Sequence, residues 1–245
     1  MERCRVALMA VCAVVASTAS VAAGETRAVI ELFTSQGCSS CPAADRLLGE
    51  LAKDSSLVAM SLPIDYWDYL GWKDTLAKPK HTARQRAYAQ ERGDRAVYTP
   101  QVVVNGLAHV QGSDKAAIEN AIAKTRGLPG TAAVPVQLSV AGGRIEVAVA
   151  AGSAAHSGGE LWLCALTKSI PVAIGRGENR GREITYYNVV RRWVKLGEWN
   201  GGARTFSVPL SDVTGDDANA VAVVLQAGDG DRPGRMLGAA TAALH

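Results

Sequence analysis

At 245 residues, 48% hydrophobic and 20% charged, the chain is apolar enough to bury a sizeable core, which excludes a disordered polymer. A formal net charge of only +3, with no block of Lys or Arg, argues against a surface that tracks nucleic-acid phosphates. Beyond the N-terminal segment, no stretch is long and apolar enough to predict a membrane span.

The N-terminus reads as an export signal. Arg3 and Arg5 precede an uncharged apolar run at 6–15, and Val21-Ala22-Ala23 makes a small-residue cleavage site before Gly24. Residues 1–23 are therefore expected to be a signal peptide, with the mature protein secreted to a bacterial periplasm and without stable membrane insertion. The remaining length exceeds the ~100–150 residues usual for one domain, so two are expected. Of the five cysteines, Cys4 and Cys12 leave with the signal, so Cys38, Cys41 and Cys164 remain. An exported chain stapled by disulfides carries a larger, even set; one close pair points to chemistry at the pair. Cys164, inside a predicted strand, is read as a buried small hydrophobe.

Residues 28–34 are rich in β-branched and aromatic types and predict a central strand. Glu31 interrupts it, either as a buried proton acceptor for the thiol pair or as a strand acid reaching solvent or a basic neighbour. A Gly-containing turn leads to Cys38-Ser39-Ser40-Cys41-Pro42 and a helix to about Lys53, with Cys38 at its N-terminus and Cys41 in its first turn. There, free backbone N–H groups and the helix dipole favour a thiolate, taking a cysteine pKa from ~8.5 into the range ~3.5–7.5. Ser39 and Ser40 can donate to the Cys38 sulfur, and Pro42 suits an early helical position.

A second strand at 57–65 empties into a loop holding Tyr66, Trp67, Tyr69 and Trp72, four of the chain's thirteen aromatics. It reads either as packing at the core edge or as a wall of a cleft beyond the strand ends. A polar helix, about 80–92, begins beside His81, taken as a surface or capping group. Thr99-Pro100 precedes a strand at 102–104, Asn105-Gly106 predicts a hairpin turn, and 107–111 is the return strand. Gly112-Ser113-Asp114 caps a helix over 115–126.

With Cys38-Ser-Ser-Cys41 after an apolar strand and Thr99-Pro100 before the third, residues 27–127 resemble the thioredoxin-like superfamily. The resemblance implies Cys38 as nucleophile, Cys41 as resolving thiol and Thr99/Pro100 as a cis-proline loop holding substrate; Tyr66 and Trp67 are the substrate-binding candidates of the cleft-wall reading of the aromatic loop. The chain departs from that pattern in carrying Ser-Ser between the thiols and Gln36-Gly37 before them. The wider string Glu31-Leu-Phe-Thr-Ser-Gln-Gly-Cys-Ser-Ser-Cys-Pro, with Asp65-Tyr-Trp-Asp68, is similar to a family of secreted bacterial proteins of unknown function with a thioredoxin-like core.

Leu128-Pro129-Gly130-Thr131 is a linker by composition. Beyond it helix signals nearly vanish, and strands are expected at 134–140, 144–150, 160–168, 183–194, 203–209, 219–227 and 235–243. The expected organisation is a thioredoxin-like α/β domain over 24–127 followed by an all-β, antiparallel sandwich-like domain over 132–245. The Gly/Arg-rich loop 175–182 is a solvated hairpin tip, an anion-binding loop or a lid over the thiols, with Arg176, Asn179 and Tyr186 as the candidate lid residues.

These residues predict an exported thiol–disulfide oxidoreductase or redox-active adaptor. It would act on a protein or small-molecule thiol or disulfide, with no nucleic-acid partner and no cofactor beyond the Cys38/Cys41 pair. One alternative is Cu(I) binding by the two thiolates, with His109 or His81 as a third ligand. The other is a non-catalytic binding module in which the disulfide is static.

Overall fold

The computed structural model describes residues 26–153, 158–215 and 217–244. The expected signal peptide, 1–23, lies outside them. The strands and helices run β1 (Ala28–Thr34), α1 (Cys41–Leu51), β2 (Leu57–Pro63), α2 (Pro79–Arg92), β3 (Gln101–Val104), β4 (Ala108–Gln111), α3 (Lys115–Arg126), β5 (Val136–Ala141), β6 (Arg144–Val149), β7 (Gly159–Ala173), β8 (Glu183–Trp199), β9 (Arg204–Pro209), α4 (Leu210–Val213), β10 (Ala220–Gly228) and β11 (Pro233–Ala243).

One eight-stranded sheet, in the order β11-β10-β7-β8-β2-β1-β3-β4, runs through the molecule, and β5-β6-β9 form a smaller one. β1 and β2 are parallel, as are β2 and β8; the other pairings are antiparallel. β8 joins β2 through the pair Ser61↔Val189, so strands from both sides of the 128–131 linker belong to the same sheet. The expected division into an α/β unit and an all-β unit thus becomes a mixed α/β architecture around one mostly antiparallel sheet. Among the described residues, no helix is long and apolar enough to cross a membrane.

Alternation along β1 decides which layer covers which face. Ala28, Ile30 and Leu32 pack against Leu47 and Leu48 of α1 and Ile118 and Ile122 of α3. Val29 and Phe33 face the other way and pack with Tyr88 of α2 and with Val224 and Met236 from the far strands. The small sheet lies on β7, β10 and β11, where Ile145 and Val147 meet Leu161, Leu163, Val221 and Leu225. Each such fully buried aliphatic side chain stabilises the fold by about 1.5–3 kcal/mol.

Local signals set the element ends. Asp114 accepts from the Ala117 N–H at 2.9 Å and caps α3. Asn105 and Gly106 both have positive φ, 52° and 70°, in the three-residue turn 105–107 that joins β3 to β4. Cys164 is buried within β7, where burial pushes its thiol pKa up. His81 differs from its reading as a surface group: it is 1% exposed, its Nδ1 lies 3.0 Å from the Pro63 carbonyl, and burial lowers its pKa to about 4.

Candidate functional site

The carboxyl end of β1 delivers the chain into the tight turn 35–38, where the Cys38 N–H donates to the Ser35 carbonyl at 3.2 Å. Cys41, rather than Cys38, opens α1, with Pro42 in its first turn and Ser40 before it. Cys38 therefore sits in the approach to the helix. The two cysteines form a disulfide with Cα atoms 5.4 Å apart. The Ser40 Oγ lies 3.4 Å from the Cys38 sulfur. Ser39 and Ser40 are exposed, whereas Cys38 is 2% and Cys41 0% exposed.

Gln36 organises the turn. Its N–H donates to Asp74 Oδ2 at 2.8 Å, its side-chain amide donates to Thr75 Oγ1, and its Oε1 accepts from Trp72 Nε1 at 2.8 Å. The Asp74 carboxylate also accepts from the Leu76 and Ala77 N–H groups. Burial raises the Asp74 pKa to about 6 against the pull of those backbone donors. A side chain at Gly37 would place its Cβ 3.1 Å from Trp67 Cβ, so glycine is what lets the turn lie against that tryptophan.

Trp67 in turn donates from Nε1 to Thr99 Oγ1 at 2.8 Å, and Tyr69, 78% exposed, stacks on its ring with centroids 6.5 Å apart. The Thr99–Pro100 peptide is cis. A Cβ on Gly112 would lie 3.0 Å from Pro100 Cβ and 3.2 Å from Ala44 Cβ, which places the proline beside the first turn of α1. Trp67 thus lies against the cysteine turn at Gly37, bonded to Thr99, with Pro100 next to α1. Tyr66 packs next to Trp67, with a buried hydroxyl that finds no partner among the described residues.

The loop between β7 and β8 closes over the same turn. Asn179 is 1% exposed and its Nδ2 donates to two carbonyls, Gln36 O at 2.9 Å and Cys38 O at 2.8 Å. Glu178 Oε2 accepts from the Ser39 N–H at 3.3 Å. Arg176 is exposed, and Tyr186 is buried on β8.

Beneath α1 lies a group of acids and hydroxyls. Asp45 follows Cys41 by one helical turn on the same face and is 2% exposed, with neither oxygen in a standard hydrogen bond. Burial pushes its pKa up to about 8; Asp74 adds to the rise, while the Thr34 hydroxyl and Arg46 oppose it. The Tyr186 hydroxyl is likewise buried without a partner, raised first by burial and then by Asp45 and Asp74. Sequence reasoning passed over Asp45. Its signal was an acid among Ala44, Leu47, Leu48 and Leu51, spaced four from a cysteine.

Because its folded pKa is the higher one, Asp45 keeps a proton that the unfolded chain releases above ~3.9. Stability should therefore fall with rising pH between ~4 and ~8, by up to about 1.4 kcal/mol per unit from this group. Asp45→Asn, which cannot ionise, should lose that slope and unfold at a higher temperature than the parent at pH 8, the gap closing towards pH 4. Parallel Tm-against-pH curves would count against it.

Glu31 lies elsewhere. It faces α2, where Oε1 accepts from Arg84 Nε at 2.6 Å and Oε2 from the Tyr88 hydroxyl at 2.5 Å. The neighbouring β1 residues Ile30 and Leu32, and Thr34 beyond them, point to the α1 side, so alternation turns Glu31 away from that face. His109 is occupied too, with Nδ1 2.9 Å from the Tyr98 hydroxyl and Nε2 3.2 Å from Asp94.

Comparison with known proteins places this arrangement. A protein family described as "Protein of unknown function (DUF1223)" matches residues 29–226, which takes in β1, the cysteine turn, the Thr99–Pro100 loop and the 175–182 loop. The chain belongs to the DUF1223 family. It is also similar to the crystal structure of a protein from Agrobacterium tumefaciens, at 32% identity and a TM-score of 0.80, over 89% of this chain and 94% of that one. A comparison with curated proteins finds no match. The DUF1223 match thus covers both the cysteine turn and the loop before β8 that brings Asn179 to it.

Proposed function

We propose that this DUF1223 protein is an exported thiol–disulfide oxidoreductase or redox-active adaptor that works through Cys38 and Cys41. The observation that carries the reading is the pair itself, closed as a disulfide where β1 hands over to α1, with Trp67 against the neighbouring Gly37 and cis-Pro100 near Ala44 of α1. The element order β1-α1-β2-α2-β3-β4-α3 is that expected of a thioredoxin-like core.

In the reduced protein the Cys38 thiolate attacks a substrate disulfide. A Cys38–substrate S–S bond forms, and the substrate's other sulfur leaves as a thiolate. The Cys41 thiolate then attacks Cys38 Sγ, forming the internal disulfide and releasing the second substrate thiolate. Two electrons pass from the pair to the substrate, and the reverse sequence oxidises a dithiol. Asp45, one turn beyond Cys41 and with a pKa near neutrality, is the group suited to exchange a proton with the resolving thiol. Loop 175–182 acts as the lid, since a partner sulfur reaches the pair only when the Asn179 bonds to Gln36 and Cys38 release.

The reading is tested by equilibrating the mature chain in glutathione buffers and following the two thiols by alkylation, together with insulin reduction. A measurable potential between ~−120 and ~−270 mV, with turnover, supports it. A pair that stays oxidised in every buffer, or turns over nothing, makes the disulfide static and sinks the proposal. The lid has its own test. Asn179→Ala should cost about 1–3 kcal/mol, from two carbonyls losing their donor, and should speed reduction by dithiothreitol several-fold. An unchanged reduction rate would remove the lid from the mechanism.

A further inference from the structure

On the face of the large sheet covered by α2, away from the cysteines, a groove of about 430 Å³ lies between α2, β7, β8 and the β10–β11 turn, lined by Lys80, Arg84, Arg86, Trp162, Trp193 and Asp231 among others. Its floor is aromatic: the indoles of Trp162 and Trp193 meet edge to face, with centroids 6.3 Å apart. The β10–β11 turn closes on the Trp162 ring, which a Cβ at Gly230 would approach to 3.3 Å.

One wall is a fixed cation. The Arg84 guanidinium lies over Trp193 at 4.6 Å and over Tyr88 at 4.9 Å. It is held by Glu31 at Nε and by Tyr88 and Gln226 at Nη2. Its third nitrogen, Nη1, makes no hydrogen bond among the described residues, and the Arg84 side chain keeps about 10% of its surface exposed. Lys80 and Arg86 are exposed at the rim, and the lining cations outnumber the acids even when Glu31 is counted with Asp231.

A ring-sized apolar floor beside an immobilised guanidinium recognises a flat molecule with an anionic end. The ring exchanges water for indole surface, and the carboxylate or sulfonate takes a charge-assisted hydrogen bond from a donor whose position needs no reordering. From this geometry we propose that the groove is a second ligand site, for a small aromatic carboxylate or sulfonate. It is separate from the cysteine turn, and nothing in it depends on the redox reading.

The probe is 1-naphthoate, titrated into the oxidised mature chain by calorimetry and by tryptophan fluorescence. One saturable site is expected. Its affinity should fall at least tenfold for 1-naphthamide, which keeps the ring and loses the charge. A fall of the same size is expected in Lys80→Ala/Arg86→Ala, whose two side chains are exposed and leave the Arg84–Glu31 pair intact. Ala83→Glu, which sets a like charge at the groove wall, should abolish binding while the Tm stays near the parent's. No saturable binding, equal binding of the amide, or full affinity in Ala83→Glu would each overturn the proposal. Reduction of Cys38–Cys41 is expected to run at the parental rate in these variants, so failure here and failure of the redox reading show up in different measurements.

Discussion

Cys38→Ala should abolish disulfide exchange, with insulin reduction falling to the uncatalysed rate. Cys41→Ala should stop the cycle at the mixed disulfide. The asymmetry follows from position. Cys38 lies in the turn before α1, adjacent to exposed Ser39 and under the Asn179 bond, whereas Cys41 is the fully buried first residue of the helix. On the proposed reading, a partner sulfur reaches Cys38 once the loop lifts, and Cys41 acts from within. Mixing Cys41→Ala with a disulfide-bearing peptide should give a covalent adduct by mass spectrometry, removed by dithiothreitol, and Cys38→Ala should give none. Adducts of equal yield at both positions would reverse the assignment. Retained activity in either single variant would end the dithiol mechanism.

Arg84→Met should strongly destabilise the fold. Glu31 is 0% exposed and ion-paired to Arg84 at 2.6 Å, in a network with Tyr88 and Gln226. Burial would by itself lower the Arg84 pKa, but the Glu31 charge and hydrogen bond outweigh it and hold the guanidinium charged. Removing the cation leaves a buried carboxylate unpaired, at about 3–5 kcal/mol. At ~2–4 °C per kcal/mol for a chain of this size, that is a fall in Tm of roughly 6–20 °C. Replacing both partners, Glu31→Leu with Arg84→Met, should recover most of the loss, because an apolar pair of similar volume has no charge to desolvate. Thermal unfolding of the two single variants and the double settles it. A double variant as unstable as Arg84→Met alone would mean that the packing of Arg84 over Trp193 and Tyr88, rather than its charge, is what counts.

The same network explains why Glu31 was ambiguous in the sequence. An acid in an apolar strand carries the same local signature whether it serves a thiol or a guanidinium. Only the crossing of α2 over that face of β1, which brings Arg84 and Tyr88 to it, distinguishes the two. Asp45 is the converse case. As one polar residue on a short helix it drew no attention, and it became chemically distinctive only when the tertiary fold buried it within the electrostatic reach of Asp74 and Tyr186.

What the sequence determined by itself was everything governed by near neighbours. The strand–turn–helix around Cys38 and Cys41, the Asn105-Gly106 turn, the capped helix α3 and the succession of strands after the linker all follow from alternation, turn residues and caps a few positions apart. The tertiary structure alone decided that the two halves share a sheet. The β2–β8 junction is a single parallel pair, Ser61↔Val189, between segments more than a hundred residues apart. Side-chain alternation marks which face of a strand is buried but not which strand lies beside it, so nothing in either segment announces the other. That junction carries Asn179 onto the Gln36 and Cys38 carbonyls and the Tyr187 ring onto Gly49 of α1, and so makes a local cysteine motif into an enclosed site.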